Sequence, residues 1–169
     1  CLMCLWNMEL DFEKLAVYPQ YNELIKAIAG YCSVWPEEAI PTNGTDEAIK
    51  SIFEIYLEKG KNEVILPVPT YAMFKFYAQL NEASIKEILY NKDLSFPAKK
   101  LLKAIGDKTK IIVLVNPNNP TGTSINEKDI VKIIKKAKKY YALVLIDEAY
   151  FQFYGKTSIP LIKKYSNLF

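Results

Sequence analysis

Asp147-Glu148-Ala149-Tyr150 stands directly behind the apolar run Ala142 to Ile146. A carboxylate in that position is partly desolvated and needs a cation or a hydrogen-bond donor to stay ionised. A protonated heteroaromatic nitrogen would serve, and so would a plain turn that the aspartate caps. A second cluster, Asn116-Pro117-Asn118-Asn119-Pro120-Thr121-Gly122-Thr123, follows the apolar run Ile111 to Val115. Two prolines and a glycine fix its backbone path, while Asn118 and Asn119 carry amides that both donate and accept. An ordinary turn needs two or three such residues; a string of this length reads as a functional loop. The third cluster, Asn43-Gly44-Thr45-Asp46-Glu47, opens a helical pattern. Gly44 allows close backbone approach, and Thr45 or Asp46 is placed to cap the helix. A phosphate over the free N–H groups of that first turn would be favoured by the helix dipole. A simple N-cap would look the same, and Asp46 and Glu47 would repel a phosphate unless cations arrive from elsewhere.

The elements that must carry these clusters follow from hydrophobic spacing. Leu24, Ile25, Ile28 and Ala29 predict a helix over Tyr21 to Tyr31, with Gly30 near its end, and a turn follows at Trp35-Pro36-Glu37-Glu38. Ile49, Ile52, Phe53 and Tyr56 form the buried stripe of the helix behind Gly44, which Gly60 should stop. Strands are expected at Glu63 to Leu66, Ser84 to Leu89, Ile111 to Val115 and Ala142 to Ile146. Helices are expected between them at Tyr71 to Leu80, Ala98 to Ile105 and Glu127 to Tyr140. The last two strands lack polar alternation, the signature of strands covered on both faces. Ser158 to Phe169 reads as a short helix and the first residues of a further strand. The expected class is α/β, a three-layer α/β/α arrangement around a mostly parallel sheet. In such sheets ligands bind where the carboxyl ends of strands meet helix N-termini, and all three polar clusters fall at such places.

Composition closes several routes. All 22 basic residues are lysine, with no histidine and no arginine, against 19 acidic residues. Histidine-based triads, bases and metal sites are therefore excluded, as is bidentate guanidinium recognition from within this chain. The net charge of +3 is too small and dispersed for a nucleic-acid partner. The densest basic cluster, Lys132, Lys135, Lys136, Lys138 and Lys139, shares a helix with Ile130, Ile133, Ile134 and Ala137 and reads as its solvated face. Cys1, Cys4 and Cys32 are an odd set with no histidine to complete a zinc site, so no metal is expected and the thiols read as reduced. The apolar opening stretch Cys1 to Leu10 has no basic residues before it, which argues against a signal peptide, and no apolar run is long enough to span a bilayer. No G-x-G-x-x-G follows the first strand, which disfavours a dinucleotide fold.

The Asn43 to Glu47 loop, the Pro69-Thr70-Tyr71 turn, the Asn119-Pro120-Thr121-Gly122 core and the Asp147-Glu148-Ala149-Tyr150 strand end occur in an order and spacing that resemble the class I/II aminotransferases of fold type I. The likeness runs from about Tyr18-Pro19 to the end of the chain, and it is strongest to the histidinol-phosphate aminotransferases. It implies an incomplete version of the large domain of these pyridoxal-phosphate-dependent transferases: residues 1–35 as an N-terminal segment and first helix, 36–169 as a partial cofactor-binding domain, and the C-terminal small domain absent. It implies pyridoxal 5′-phosphate as cofactor, with its phosphate at Gly44, Thr45 and Asp46. Tyr71 would stack on the pyridine ring, Asn119 and Tyr150 would hydrogen-bond the phenolic oxygen, and Asp147 would pair with the ring nitrogen. Tyr18 matches a tyrosine that reaches the cofactor phosphate of the partner subunit, which implies a homodimer.

The activity implied is transamination of histidinol phosphate with 2-oxoglutarate, a cytoplasmic step of histidine biosynthesis that uses an amino donor and a 2-oxo acid, with no nucleic acid and no membrane. A threonine-phosphate decarboxylase, another class I/II aminotransferase, or a non-catalytic α/β binding or assembly module are the alternatives. The Schiff-base lysine and the substrate-binding arginine of the family fall beyond Phe169, so no catalytic residue is assigned, and the chain reads as a truncated piece that would not transaminate alone.

Overall fold

The computed structural model describes residues 12–169, so Cys1, Cys4 and the apolar opening stretch lie outside the described residues. The chain divides into two compact units, residues up to Pro41 and residues from Thr42 onward. The first contains the short helix α1 (Phe12–Leu15), helix α2 (Asn22–Cys32) and a 3-10 turn at Pro36–Glu38. Helix α2 runs through Gly30 and stops where Ser33 takes a left-handed conformation and donates its N–H back to Ala29 and Gly30.

The second unit alternates helices and strands: α3 (Gly44–Tyr56), β1 (Glu63–Val68), α4 (Ala72–Leu80), β2 (Ser84–Leu89), α5 (Ala98–Ala104), β3 (Thr109–Val115), α6 (Glu127–Lys139), β4 (Leu143–Asp147), α7 (Phe151–Tyr154) and α8 (Ile159–Ile162). The four strands pair in parallel in the order β2-β1-β3-β4. Leu168 bridges Val144, so the chain's last residues run alongside β4.

Strand periodicity divides the core into two layers. Val64, Leu66, Ile111, Val113, Val115, Leu143 and Leu145 face α3 and α4 and pack with Ile49, Phe53 and Phe74. Ile65, Ile112, Leu114 and Val144 face the other way, against Leu101 of α5, Ile130, Ile133, Ile134 and Ala137 of α6, and Leu161 of α8. The sheet is thus covered on both faces at β1, β3 and β4, as the unbroken apolar runs require. Each fully buried isoleucine or leucine stabilises this arrangement by ~1.5–3 kcal/mol relative to an exposed side chain. β2 is the exposed strand of the four, with Ile85 and Ile88 half-covered.

Helix α6 confirms the reading of the lysine cluster. Lys132, Lys135, Lys138 and Lys139 are exposed, while Lys136 reaches across to donate to the Leu102 carbonyl at 2.6 Å. Asn126 caps this helix, accepting from the Asp129 N–H at 2.9 Å.

Two local expectations are corrected. Neither Thr45 nor Asp46 caps α3: Asn43 is the N-cap residue and both lie inside the first turn. Gly44, with φ +79°, turns the chain into the helix one residue earlier, and the Glu47 carboxylate accepts from the Asn43 N–H. Gly60 does not stop α3 either. The helix ends at Tyr56 because Leu57 goes extended and buries its side chain, and Gly60 serves the following turn with φ +70°.

Candidate functional site

Parallel strands deliver their carboxyl ends to one edge of the sheet, and the loops there carry every candidate of the second unit. Thr45, Tyr71, Asn119, Asp147, Ala149 and Tyr150 line one cavity of about 190 Å³. Residues from positions 45 to 150 of the chain thus meet around a space the size of one small molecule. Two larger cavities adjoin it. One of about 440 Å³ shares Thr45 and Asp147 and includes Gly44, Ile49, Ile52, Phe74 and Leu145. The other, of about 420 Å³, shares Asn119 and Tyr150 and includes Phe153 and Tyr154. Among the described residues no lysine lines any of the three.

Asp147 ends β4 as a half-buried carboxylate. Its one hydrogen bond given by the structure comes from the Ala149 N–H at 2.9 Å. Burial pushes its pKa above the ordinary 3.8, the Ala149 N–H pulls it back, and the adjacent Glu148 charge raises it further. Among the described residues no cation contributes to that balance, so the group is a desolvated acid without a counter-charge from them.

The β3–α6 loop is wired to itself and to its neighbours. Asn116 N–H donates to the Asp147 carbonyl at 2.8 Å, and its buried side chain accepts from the Ile125 N–H at 2.9 Å. Within the loop, Gly122 N–H donates to the Asn118 carbonyl at 2.7 Å and Asn118 N–H to the Thr123 carbonyl at 2.9 Å. The Asn118 amide, 3% exposed, donates to the Pro69 carbonyl at 3.0 Å and the Thr121 hydroxyl at 2.9 Å. It thereby ties this loop to the one that carries Tyr71. Asn119 next to it lines the cavity and donates from its amide to the Tyr150 hydroxyl at 3.5 Å, a long bond that brings an amide and a phenol together on the cavity wall.

The acidic residues of the α3 turn are both engaged. Tyr71 Oη donates to Asp46 Oδ1 at 3.1 Å, which raises the phenol's pKa above 10.0, with burial adding to the effect. Glu47 is held by the Asn43 N–H. The turn therefore presents Gly44 and Thr45 to the cavities; the Gly44 N–H is given to the Thr42 carbonyl at 2.8 Å, so the first-turn N–H groups that an α-helix leaves without internal partners begin at Thr45 and Asp46. Nothing lies within 4 Å of where a Gly44 Cβ would sit, so glycine is required there for its left-handed φ and not for space.

Glu148 is a residue whose role the sequence did not disclose. Its carboxylate accepts from the Thr157 hydroxyl at 2.5 Å and the Ser158 N–H at 2.6 Å, and so holds the start of α8 against the strand end. Its acidity read only as part of a polar cluster, since partners nine and ten residues away leave no local signal. Asn116 and Asn118 were visible as amides, but not as the buried braces they are. Tyr18 belongs to the first unit and is 95% exposed.

A chemical fit to pyridoxal 5′-phosphate can be judged from these donors. The cavity offers a carboxylate without a counter-ion, a tyrosine ring on its wall, an amide and a phenol converging near one point, and a helix start whose acidic side chains are turned to other partners. That set matches a protonated ring nitrogen, an aromatic face, a phenolic oxygen and a phosphate. The residues present fit the group.

Comparison with known proteins agrees with the fold. The family model for aminotransferase class I and II matches residues 6–169. A histidinol-phosphate aminotransferase of Caldanaerobacter subterraneus subsp. tengcongensis is 39% identical over 151 residues, which is 89% of this chain and 42% of that protein. The crystal structure of the histidinol-phosphate aminotransferase from Clostridium acetobutylicum superposes with TM-score 0.80 at 25% identity, covering 93% of this chain and 47% of that one. Alanine aminotransferase from Pyrococcus furiosus superposes with TM-score 0.73 at 26% identity over 82% of this chain and 39% of its own. The chain spans less than half the length of each of these proteins.

Proposed function

The chain belongs to the class I and II aminotransferases, and from that premise we propose that it supplies the cofactor cradle of an enzyme that transaminates histidinol phosphate with 2-oxoglutarate. The observation that carries the reading is the single cavity shared by Thr45, Tyr71, Asn119, Asp147 and Tyr150. Alanine aminotransferase shares the fold, so the substrate assignment rests on the names of the relatives at 39% and 36% identity.

In this reading Asp147 is the counter-charge of the pyridine nitrogen and keeps a proton on it. The desolvation that makes the carboxylate a reluctant anion alone makes it a strong partner for a cation. The protonated ring, when bound, draws electrons from the α-carbon of the amino acid, and this is the chemistry that the cofactor supplies. Tyr71 covers one face of the ring. Asn119 and Tyr150, which meet at 3.5 Å, would both donate to its phenolic oxygen. The phosphate would be held at Gly44, Thr45 and Asp46, by the backbone N–H groups of Thr45 and Asp46, since that of Gly44 is given to the Thr42 carbonyl, and would be favoured by the dipole of the 13-residue α3. Asp46 contributes there through its backbone alone, because a carboxylate has no proton to donate. Tyr18 is assigned to the phosphate of the second copy's cofactor in a homodimer. Residues 1–35 form the segment that carries this contact, and residues 36–169 the cradle itself.

None of the 22 lysines is assigned to react with the cofactor aldehyde, since among the described residues none lines these three cavities. The polypeptide Cys1–Phe169 is therefore expected to bind the cofactor without transaminating. Pyridoxamine 5′-phosphate is the suitable probe, because an amine cannot condense with surface lysines. Saturable binding of one equivalent, together with no turnover of histidinol phosphate, is the expected result. Absence of saturable binding, or borohydride trapping of pyridoxal phosphate on one specific lysine with turnover, would overturn the proposal.

A further inference from the structure

Tyr71 is restrained from three directions. Its backbone follows the loop whose Pro69 carbonyl is held by Asn118. Its ring meets Phe74 edge-on, with centroids 6.1 Å apart and planes at 85°, and Phe74 is wholly buried. Its hydroxyl is tied to Asp46, 25 residues earlier, on the first turn of α3. The phenolic oxygen lies on the axis of the second side-chain torsion, so holding it fixes the direction in which the ring extends, while the edge-on contact with Phe74 limits rotation of the ring about that axis. Phe74 alone leaves the far end of the ring free to swing. The Asp46 bond is the link given by the structure between that ring and the helix start on the other side of the cavity.

A carboxylate is also an odd choice for the first turn of a helix that receives an anion, unless it has another task. We propose that the Asp46 carboxylate is a positioning residue: it holds the Tyr71 hydroxyl, sets the direction of the ring that walls the cavity, and couples that wall to the start of α3. The consequence for ligand binding rests on the cofactor reading above; the coupling of the two side chains does not. Asp147 and Tyr150 line the same cavity as Tyr71 and act on the titration of its phenol in the same direction as Asp46.

Two measurements test this. The first needs no ligand. An ultraviolet difference titration of the wild-type chain against Tyr71→Phe isolates one phenol among the 12 tyrosines. Wild type should show Tyr71 titrating above its ordinary value of 10.0. In an Asp46→Ala background the same difference should fall back toward that value, although Asp147 still opposes ionisation. A purely structural role of Asp46 in α3 would change stability and leave this titration unmoved, and that outcome overturns the proposal.

The second is a double-mutant cycle on pyridoxamine 5′-phosphate binding by equilibrium dialysis. Asp46→Ala and Tyr71→Phe should each weaken binding about fivefold to tenfold, and the double variant no more than either single one. Asp46→Asn keeps an oxygen that accepts from the hydroxyl and should restore most of the affinity. Additive losses, or no loss from Asp46→Ala, would overturn the proposal. Should the wild-type chain bind no pyridoxamine phosphate, the cofactor reading fails, and the titration still decides whether Asp46 holds Tyr71.

Discussion

Asp147→Asn should stabilise the ligand-free chain and weaken its hold on the cofactor, two effects of opposite sign from one atom change. Asparagine keeps the oxygen that accepts from Ala149 N–H and removes the charge that burial and Glu148 both oppose. The folded-state pKa of Asp147 is raised above 3.8. Below 3.8 the group is protonated in folded and unfolded chains alike and costs nothing. As pH rises, the unfolded chain ionises first, and folding is penalised until the folded-state pKa is also passed. The penalty is complete at neutral pH. Solvent reaches the half-buried group and screens part of it, so removal of the charge should gain ~1 kcal/mol, which is about 2–4 °C in melting temperature for a chain of this size.

With pyridoxamine 5′-phosphate at about 100 times its Kd, the wild-type chain should gain ~2.7 kcal/mol. Loss of a hydrogen bond between charged partners costs ~2 kcal/mol, or about 30-fold in affinity, which leaves the variant only ~0.8 kcal/mol of ligand stabilisation at the same concentration. Thermal melts with and without ligand at pH 7, repeated without ligand near pH 3.5, read all three terms. The variant should melt higher than wild type without ligand at pH 7, equally near pH 3.5, and lower with ligand. A variant that melts lower without ligand, or keeps the full ligand-induced shift, would refute the argument.

Gly44→Ala places a side chain at φ +79° and should cost ~1–2 kcal/mol in urea denaturation, whereas Gly44→Asn, which tolerates that conformation, should cost less. Equal losses would point to packing, which the open space around Gly44 argues against. Asn118→Ala removes the buried donor to the Pro69 carbonyl and should cost ~1–3 kcal/mol, while Asn119→Ala should change stability by under ~0.5 kcal/mol and weaken pyridoxamine phosphate binding. Glu148→Gln leaves one acceptor oxygen where two are used, so the Ser158 amide should exchange its hydrogen faster by native-state hydrogen exchange.

The strands and the order of layers were legible because β1, β3 and β4 are apolar on successive residues, and Glu127–Lys139 keeps a strict helical stripe with its lysines outward. The positions of two clusters at strand ends and of the third at a helix start followed from that alternation alone. Less legible was the division of labour inside the clusters. Asp46 read as a cap or a phosphate contact, and its true partner, Tyr71, is 25 residues away on another helix start. Asn118 and Asn119 are neighbours of identical type, yet one is buried as a brace between loops and the other opens to the cavity. Local sequence does not distinguish them, because the backbone path through Pro117 and Pro120 decides which amide turns inward. The end of α3 was misplaced for a similar reason: burial of Leu57 outweighed the glycine signal three residues later.

Central to the account is that the α3 start, Tyr71, Asn119 and the end of β4 hold one molecule together. Titration of the isotope-labelled chain with pyridoxamine 5′-phosphate, followed by amide NMR, tests this most directly. Shifts of the Gly44–Glu47 amides, the Asn119 side-chain amide and the Ala149 amide should saturate on one common curve at one equivalent. Separate curves for the helix start and the strand end, or shifts confined to one of them, would contradict it.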